Sequence, residues 1–288
     1  MRPANPDGDD GLHCFRSPAL VVGHPGHELR VFGWMCQSRP RVYVVTDGSG
    51  RSQVSRLAST ACLLDRAGAG RGEVFGVVSD AEVYRAILEG RTSLFLEILE
   101  ALSTSFVSNE IDGVAGDAIE GFNPTHDLCR AMLNAAVVLA ERATGKRIAN
   151  YEFCLTEWEQ NCAAPHDSRC VHLWLEDELL NRKLEAAESY SELRDEVQKA
   201  LAQRGKEYFR TECLRKVPEV PDELPSSSKP FYETWGERRV AESEYHRVIR
   251  YREHVRPIMA AIRERCARPA RVSAPDCARF SLPANQSP

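Results

Sequence analysis

Two histidines, His24 and His27, stand three residues apart in the run His24-Pro-Gly-His27, and a third, His126, opens a later helical stretch. Neutral imidazole is the commonest protein ligand for transition metals. Three such ligands with an open fourth position describe a catalytic zinc site, whose ion polarises a carbonyl and acidifies a water. His-x-x-His alone is a weak pattern and serves a polar loop equally well, so its place in the fold has to decide. Carboxylates crowd the same segments: Glu28, Asp47, Asp117, Glu120 and Asp127. Taken singly, each is as well explained by helix capping or by solvated surface charge.

The elements that must position these residues follow an alternating pattern. Ala19 to Gly23 is a short apolar run that predicts a buried strand, and Glu28 to Met35 a helix after it. Arg41 to Asp47 predicts a second strand, closed by the turn Asp47-Gly-Ser-Gly50. Ser52 to Ala67 has apolar residues at helical spacing and ends at Gly68. Further strands are predicted at 73–78, 111–116 and 149–155, with helices at 81–88, 92–106 and 125–143. Ser79-Asp80 gives an N-cap signal for the first of these helices. Strands alternating with helices indicate a mostly parallel sheet covered on both faces, with ligands beyond the carboxyl ends of the strands. The loops 24–27 and 117–126 both fall at that edge.

After about residue 155 the character changes. Leu173 to Arg204 and Glu237 to Arg265 predict long amphipathic helices, separated by a Pro- and Ser-rich loop at 217–230. This gives an α/β core at 15–160, a helical C-terminal part at 161–266 packed on it, and disordered tails at 1–14 and 267–288. Phe231, Tyr232, Trp235, Tyr245 and Ile249 are expected to pack the last helices onto the core. In the functional alternative, Arg250, Arg252 or His254 lines the pocket and meets an anionic group.

The 288 residues carry a net charge of −5, which argues against a general nucleic-acid binder. The N-terminus has neither a basic start nor an apolar run, and no stretch suits a membrane span, so cytoplasm is the expected location. Ten cysteines are too sparse for a disulfide scaffold, and reduced thiols are expected. Cys162-x3-His166-x3-Cys170-x-His172 has ligand residue types but not the common Cys-x-x-Cys spacing. A loop with two reduced cysteines and a surface histidine is expected there, in preference to a second zinc.

Ala19 to Arg30 resembles the opening of the PIG-L/LmbE-like deacetylase family, an apolar strand followed by His-Pro-Asp-Asp-Glu. Val44 to Gly48 is similar to the family's Val-Thr-x-Gly turn, and Arg56 to Ala69 to its Arg-x-x-Glu helix, with Ser59 replacing Glu. Asn123 to His126 resembles His-Pro-Asp-His, and Lys183 to Ser191 the helix Lys-x-x-Ala-x-x-x-Tyr-x-Ser. The resemblance runs from about 18 to about 195 in the family's order. It implies a Rossmann-like three-layer α/β/α sandwich and hydrolysis of an N-acetyl amide on an amino-sugar-like small molecule. It also implies a divalent ion, zinc by ligand type, held by His24, His27 and His126. Two departures matter. Gly26 stands where the family's base is an Asp, and Asn123 replaces an assisting His. Asp47, Asp117 or Glu120 could then replace the acid/base, Asp117 and Glu120 foremost because they precede His126 in the same loop, with Asn123 donating to an oxyanion. A non-hydrolytic metal-binding protein that recognises a glycan or a protein partner is the alternative, as is another metal-dependent reaction in the same pocket.

Overall fold

Strand β1, Pro18–Val22, is buried at every residue. Its side chains alternate between two cores: Ala19 and Val21 join one, Leu20 and Val22 the other. A strand with helices on both faces reads as an unbroken apolar run for this reason. Strand β2, Arg41–Thr46, divides the same way, with Tyr43 and Val45 in one core and Val42 and Val44 in the other. The computed structural model describes residues 15–50, 52–156, 169–218 and 229–267. The expected tails (Ala267 aside) and residues 219–228 of the expected loop lie outside this set.

Strands β3 (Gly70–Val78), β4 (Gly113–Asp117) and β5 (Ala149–Phe153) complete a parallel set in the order β3-β2-β1-β4-β5. The intervening helices are α1 (Phe32–Ser38), α2 (Leu57–Ala67), α3 (Asp80–Glu89), α4 (Thr92–Ser108) and α5 (Pro124–Thr144). Phe95, Ile98 and Leu102 of α4 and Leu128 and Leu133 of α5 cover one face of the sheet. Phe32 and Trp34 of α1 and Leu63 and Leu64 of α2 cover the other. The protein is therefore an α/β sandwich with a mostly parallel sheet, as the alternation predicts. Ser79 caps α3 by accepting the Glu82 N–H at 3.2 Å. Residues 27–31 form a single 3-10 turn before α1.

The C-terminal half departs from the helical expectation. Strands β6 (Cys170–Trp174) and β7 (Thr211–Lys216) join the same sheet, β7 antiparallel to β5 and β6 antiparallel to β7. Among the described residues the sheet has seven strands, in the order β3-β2-β1-β4-β5-β7-β6. The long helix expected at 173–204 begins inside β6 and breaks after α6 (Asp177–Ser189). The break lets Tyr190 turn inward to reach Thr60, and α7 (Arg194–Arg204) resumes beyond it with no buried residue. The stretch 237–265 is likewise divided between α8 (Phe231–Ala241) and α9 (Arg256–Ala267). Glu233 accepts the Tyr251 N–H at 2.7 Å and pairs with Arg250, which folds the chain back between the two helices. Among the described residues, no helix is long and apolar enough to cross a membrane.

Candidate metal centre

Strand β1 lies between β2 and β4, so the crevice beyond the carboxyl ends of β1 and β4 is the topological switch point of the sheet. His24 and His27 follow β1, Asp117 ends β4, and His126 lies in the first turn of α5. The three rings converge. Centroid separations are 5.4 Å for His24–His27, 5.0 Å for His24–His126 and 4.4 Å for His27–His126. One ligand nitrogen from each lies within 4.8 Å of the others.

Asp117 fixes His27. Its carboxylate, 1% exposed, lies 2.9 Å and 3.0 Å from His27 Nδ1 through its two oxygens. Oδ2 also accepts the Gly23 N–H at 2.7 Å. With Nδ1 so engaged, His27 presents Nε2. An outer carboxylate holding a ligand histidine by its second nitrogen is a recurrent feature of metal sites.

The electrostatics suit a cation. Burial, helped by His27, lowers His24 to about 4. Burial and the neighbouring histidines hold His126 well below its ordinary value. Both rings are therefore neutral at neutral pH. Burial acts on His27 in the same direction, but the charge and hydrogen bond of Asp117 outweigh it and raise the ring above its ordinary value. Nδ1 of His24 and Nδ1 of His126 are buried with no hydrogen-bond partner among the described residues. Orphaned buried nitrogens on neutral rings are costly unless something binds them, and a metal ion fits that need.

The loop bearing these ligands is braced from below. Glu28 is fully buried; its carboxylate accepts the Gly26 N–H at 2.8 Å and the Thr60 hydroxyl at 2.6 Å. Thr60 in turn shares a hydrogen bond with the Tyr190 hydroxyl. Lys183 pairs with buried Glu212 at 2.8 Å and donates to the Arg30 carbonyl. Glu212 also accepts the Gly33 and Trp34 N–H groups at the start of α1.

Gly26 adopts φ 105, a conformation that side-chain-bearing residues rarely take. A Cβ there would stand 2.5 Å from Leu193 Cδ1. Leu193 thus occupies the space that an acid/base at this position would need.

The expected replacement carboxylates are all engaged elsewhere. Glu120 accepts the Leu155 and Thr156 N–H groups and the Thr156 hydroxyl at 2.6–2.9 Å, tying down the segment after β5. Asp117 is held by His27 and Gly23 as described. Asn123 caps α5 by accepting the Thr125 N–H at 2.8 Å, and its amide donates to the Tyr84 hydroxyl at 3.0 Å. Asp47 is spent on its own turn, accepting from Ser49.

Asp80 is the residue that sequence reasoning missed. Its Oδ2 accepts the Gly50 N–H at 2.7 Å, while Oδ1 is buried, lacks a partner among the described residues and lies 3.8 Å from His24 Nε2. The Ser79 cap already gave a complete local reason for an acidic residue here. The only further signal was its place at the carboxyl end of β3.

Two cavities flank the centre. One of about 350 Å³ is lined by His24, His27, Arg30, Arg56, Leu155 and Leu193. The other, about 730 Å³, is lined by Asp80, Asn123, Tyr84, Phe122, Phe231 and Trp235 among others. Phe122 stacks on Phe231 at 5.0 Å, and Phe231, Trp235 and Tyr245 are exposed on this wall. Of the aromatic residues expected to pack the last helices, only Tyr232 is buried in the core. Arg250 pairs with Glu233 and Glu237, and its N–H is accepted by His254 Nδ1, so these two do not line the larger cavity.

Fold and site together define a Rossmann-like α/β sandwich with a three-histidine centre at its switch point. The sequence matches no protein-family profile and no curated protein. Among solved structures, the chain is similar to A40926 pseudoaglycone deacetylase Dbv21, at 18% identity and a TM-score of 0.49, over 72% of this chain and 99% of that one. It is also similar to the zinc-inhibited form of teicoplanin deacetylase Orf2, at 10% identity and a TM-score of 0.46, over 71% and 100%.

Proposed function

We propose that this chain is a divergent metal-dependent hydrolase of the PIG-L/LmbE-like type that cleaves the C–N amide bond of an N-acylated, amino-sugar-like small molecule. The observation that carries the proposal is the convergence of His24, His27 and His126 at the switch point, with buried, unpartnered nitrogens on two of the rings. These three residues would hold the ion, and their neutral nitrogen donors suit zinc. When bound, such an ion supplies Lewis-acid polarisation of the amide carbonyl and lowers the pKa of a water.

The chain's own groups divide the remaining work. Asp117 orients His27 and sets its tautomer, a positioning role in place of the acid/base role expected for it. Glu120 shapes the loop that carries His126. Proton transfer falls to Asp80, whose Oδ1 has no hydrogen-bond partner among the described residues. Asp80 accepts a proton from the attacking water and returns it to the departing nitrogen as the C–N bond breaks. Asn123 lines the larger cavity and keeps a second amide hydrogen beyond the one given to Tyr84, which it donates to the developing oxyanion. The smaller cavity, with Arg30 and Arg56 at its wall, suits the hydroxyl-rich sugar; the larger, aromatic one suits an acyl or other apolar group.

Metal analysis of the purified chain, with hydrolysis assays on N-acyl glucosamines of graded acyl length, tests the proposal. Metal-dependent amine release that His126→Ala abolishes is the expected result. One observation favours a second reading, a metal-binding protein that recognises a glycan without cleaving it: Leu193 fills the place of the family's base. Metal and sugar binding without turnover would select that reading, and a chain that binds no metal would sink both.

A further inference from the structure

The antiparallel edge pair of the sheet, β6 and β7, carries a second set of metal-ligand residues, remote in sequence from the three histidines. In the β6–β7 ladder His172 stands directly across from Cys213, and Cys170 lies two residues before His172 on the same strand. Residues opposite one another, and residues two apart on one strand, share a face. The three ligand atoms lie within 4.8 Å of one another. With Zn–S and Zn–N bonds of about 2.3 Å and 2.0 Å, a tetrahedral ion needs these ligands about 3.5–3.8 Å apart, so a small closure of flexible side chains suffices.

Two further features favour an ion over a chance grouping. His172 Nε2 is buried with no hydrogen-bond partner among the described residues. The second feature is position, since β6 is the outermost strand of the sheet and an unpaired edge is a weak point.

We propose that Cys170, His172 and Cys213 bind a second, zinc-type divalent ion, which fastens edge strand β6 to β7. Thiolate and imidazole ligands select a borderline-soft ion of this kind over magnesium or calcium. The site is structural: it lies on the edge strand pair β6–β7, and none of its ligands lines either cavity flanking the histidines. It was masked in the sequence because Cys213 lies beyond two helices from its partners, and because Cys170 and His172 seemed part of a loop.

The full-length chain, loaded with zinc and then exchanged into cobalt(II), tests the proposal. Thiolate ligands give an intense near-ultraviolet sulfur-to-cobalt charge-transfer absorption, which a site of imidazole and oxygen ligands does not. The band therefore reports on this site independently of the three histidines. The wild type is expected to bind two metal ions per chain and to show the band, and His126→Ala to keep the band while losing one ion. Cys170→Ser and Cys213→Ser should each lose one ion and the band. Cys170 is only half-buried, so its variant guards against a folding failure of the Cys213 variant. A wild type without the band, cysteine variants that retain both ions, or a Cys170–Cys213 disulfide in the purified chain would each overturn the proposal. One ion per chain with the band present would support this site and count against the three-histidine centre, so the two failures are distinguishable.

Discussion

Replacing Asp117 by asparagine removes one buried charge from behind the proposed metal centre while keeping the side chain's shape. In the wild type Oδ2 accepts the Gly23 N–H at 2.7 Å and lies 2.9 Å from His27 Nδ1, with Oδ1 at 3.0 Å. An amide oxygen in the Oδ2 position preserves both bonds but sets an NH2 group against the Nδ1 donor. The opposite flip sets that NH2 against the Gly23 N–H. Either way the charge-assisted bond is lost and a donor faces a donor. Loss of such an outer partner weakens metal binding by about 10–100-fold, which is about 1.4–2.8 kcal/mol at ~1.4 kcal/mol per tenfold.

Competition with a zinc chelator measures this change, and pH adds a signature. Asp117 raises His27 above its ordinary value of 6.5, so a proton competes with the ion in the wild type up to that raised value. In the variant, burial prevails and proton competition ends at lower pH. The affinity gap is therefore widest at high pH and narrows on acidification. The metal-free chain behaves oppositely. The stabilisation from the His27–Asp117 pair is fully present below 6.5 and is lost as pH rises through the raised value. The variant's melting deficit is then largest on the acid side. Equal zinc affinity in both proteins at neutral pH, with both folded, would refute the role given to Asp117.

Gly26→Asp should destabilise the chain by at least about 1–2 kcal/mol, because its positive φ remains strained for any side chain. Adding Leu193→Ala should relieve the steric part alone, which thermal melts of the single and double variants would show. Asp80→Asn should lower amide turnover by about 10²–10⁴-fold with metal content unchanged; turnover within a few-fold of wild type would remove Asp80 from the chemistry. Asp127 accepts the Glu120 and Gly121 N–H groups at 3.2 Å, and burial pushes its carboxyl up to about 7. Because that folded value lies above the ordinary 3.8, its contribution to stability is present at low pH and is lost as pH rises toward 7. Asparagine keeps the acceptor, so the stability of the metal-free wild type relative to Asp127→Asn should fall by about 4 kcal/mol between those limits; a flat difference would contradict this.

The parts of the fold legible in the sequence are those whose signals are local. The apolar run of β1, the Ser79 cap and the order of motifs from His24 to Tyr190 reported the sheet and placed three histidines at one edge. The C-terminal half was misjudged for a physical reason. Strand β6 is half-buried at all five positions, so its side chains give no apolar alternation, and the charged helix after it continued an apparent helical period. Tyr190 ends α6 by turning toward Thr60, a partner 130 residues earlier that no local pattern announces. The candidate site was legible in its three converging histidines but not in its support. Asp117, Glu120 and Asn123 were found as residues near the centre, while what each one touches depends on backbone groups that sequence does not display. Asp80 and the pairing of Lys183 with Glu212 depend on how distant strands line up, and no motif encoded them.

That last pair has a consequence for the order of events during synthesis. The turn bearing His27 is held through Arg30 by Lys183, and the helix after it begins against Glu212, 179 residues downstream of Gly33. A chain emerging from the ribosome presents all three histidines by residue 126, well before either brace exists. Full bracing of the centre waits on the seventh strand of the sheet, so tight capture of the proposed metal ion would be among the last steps of maturation.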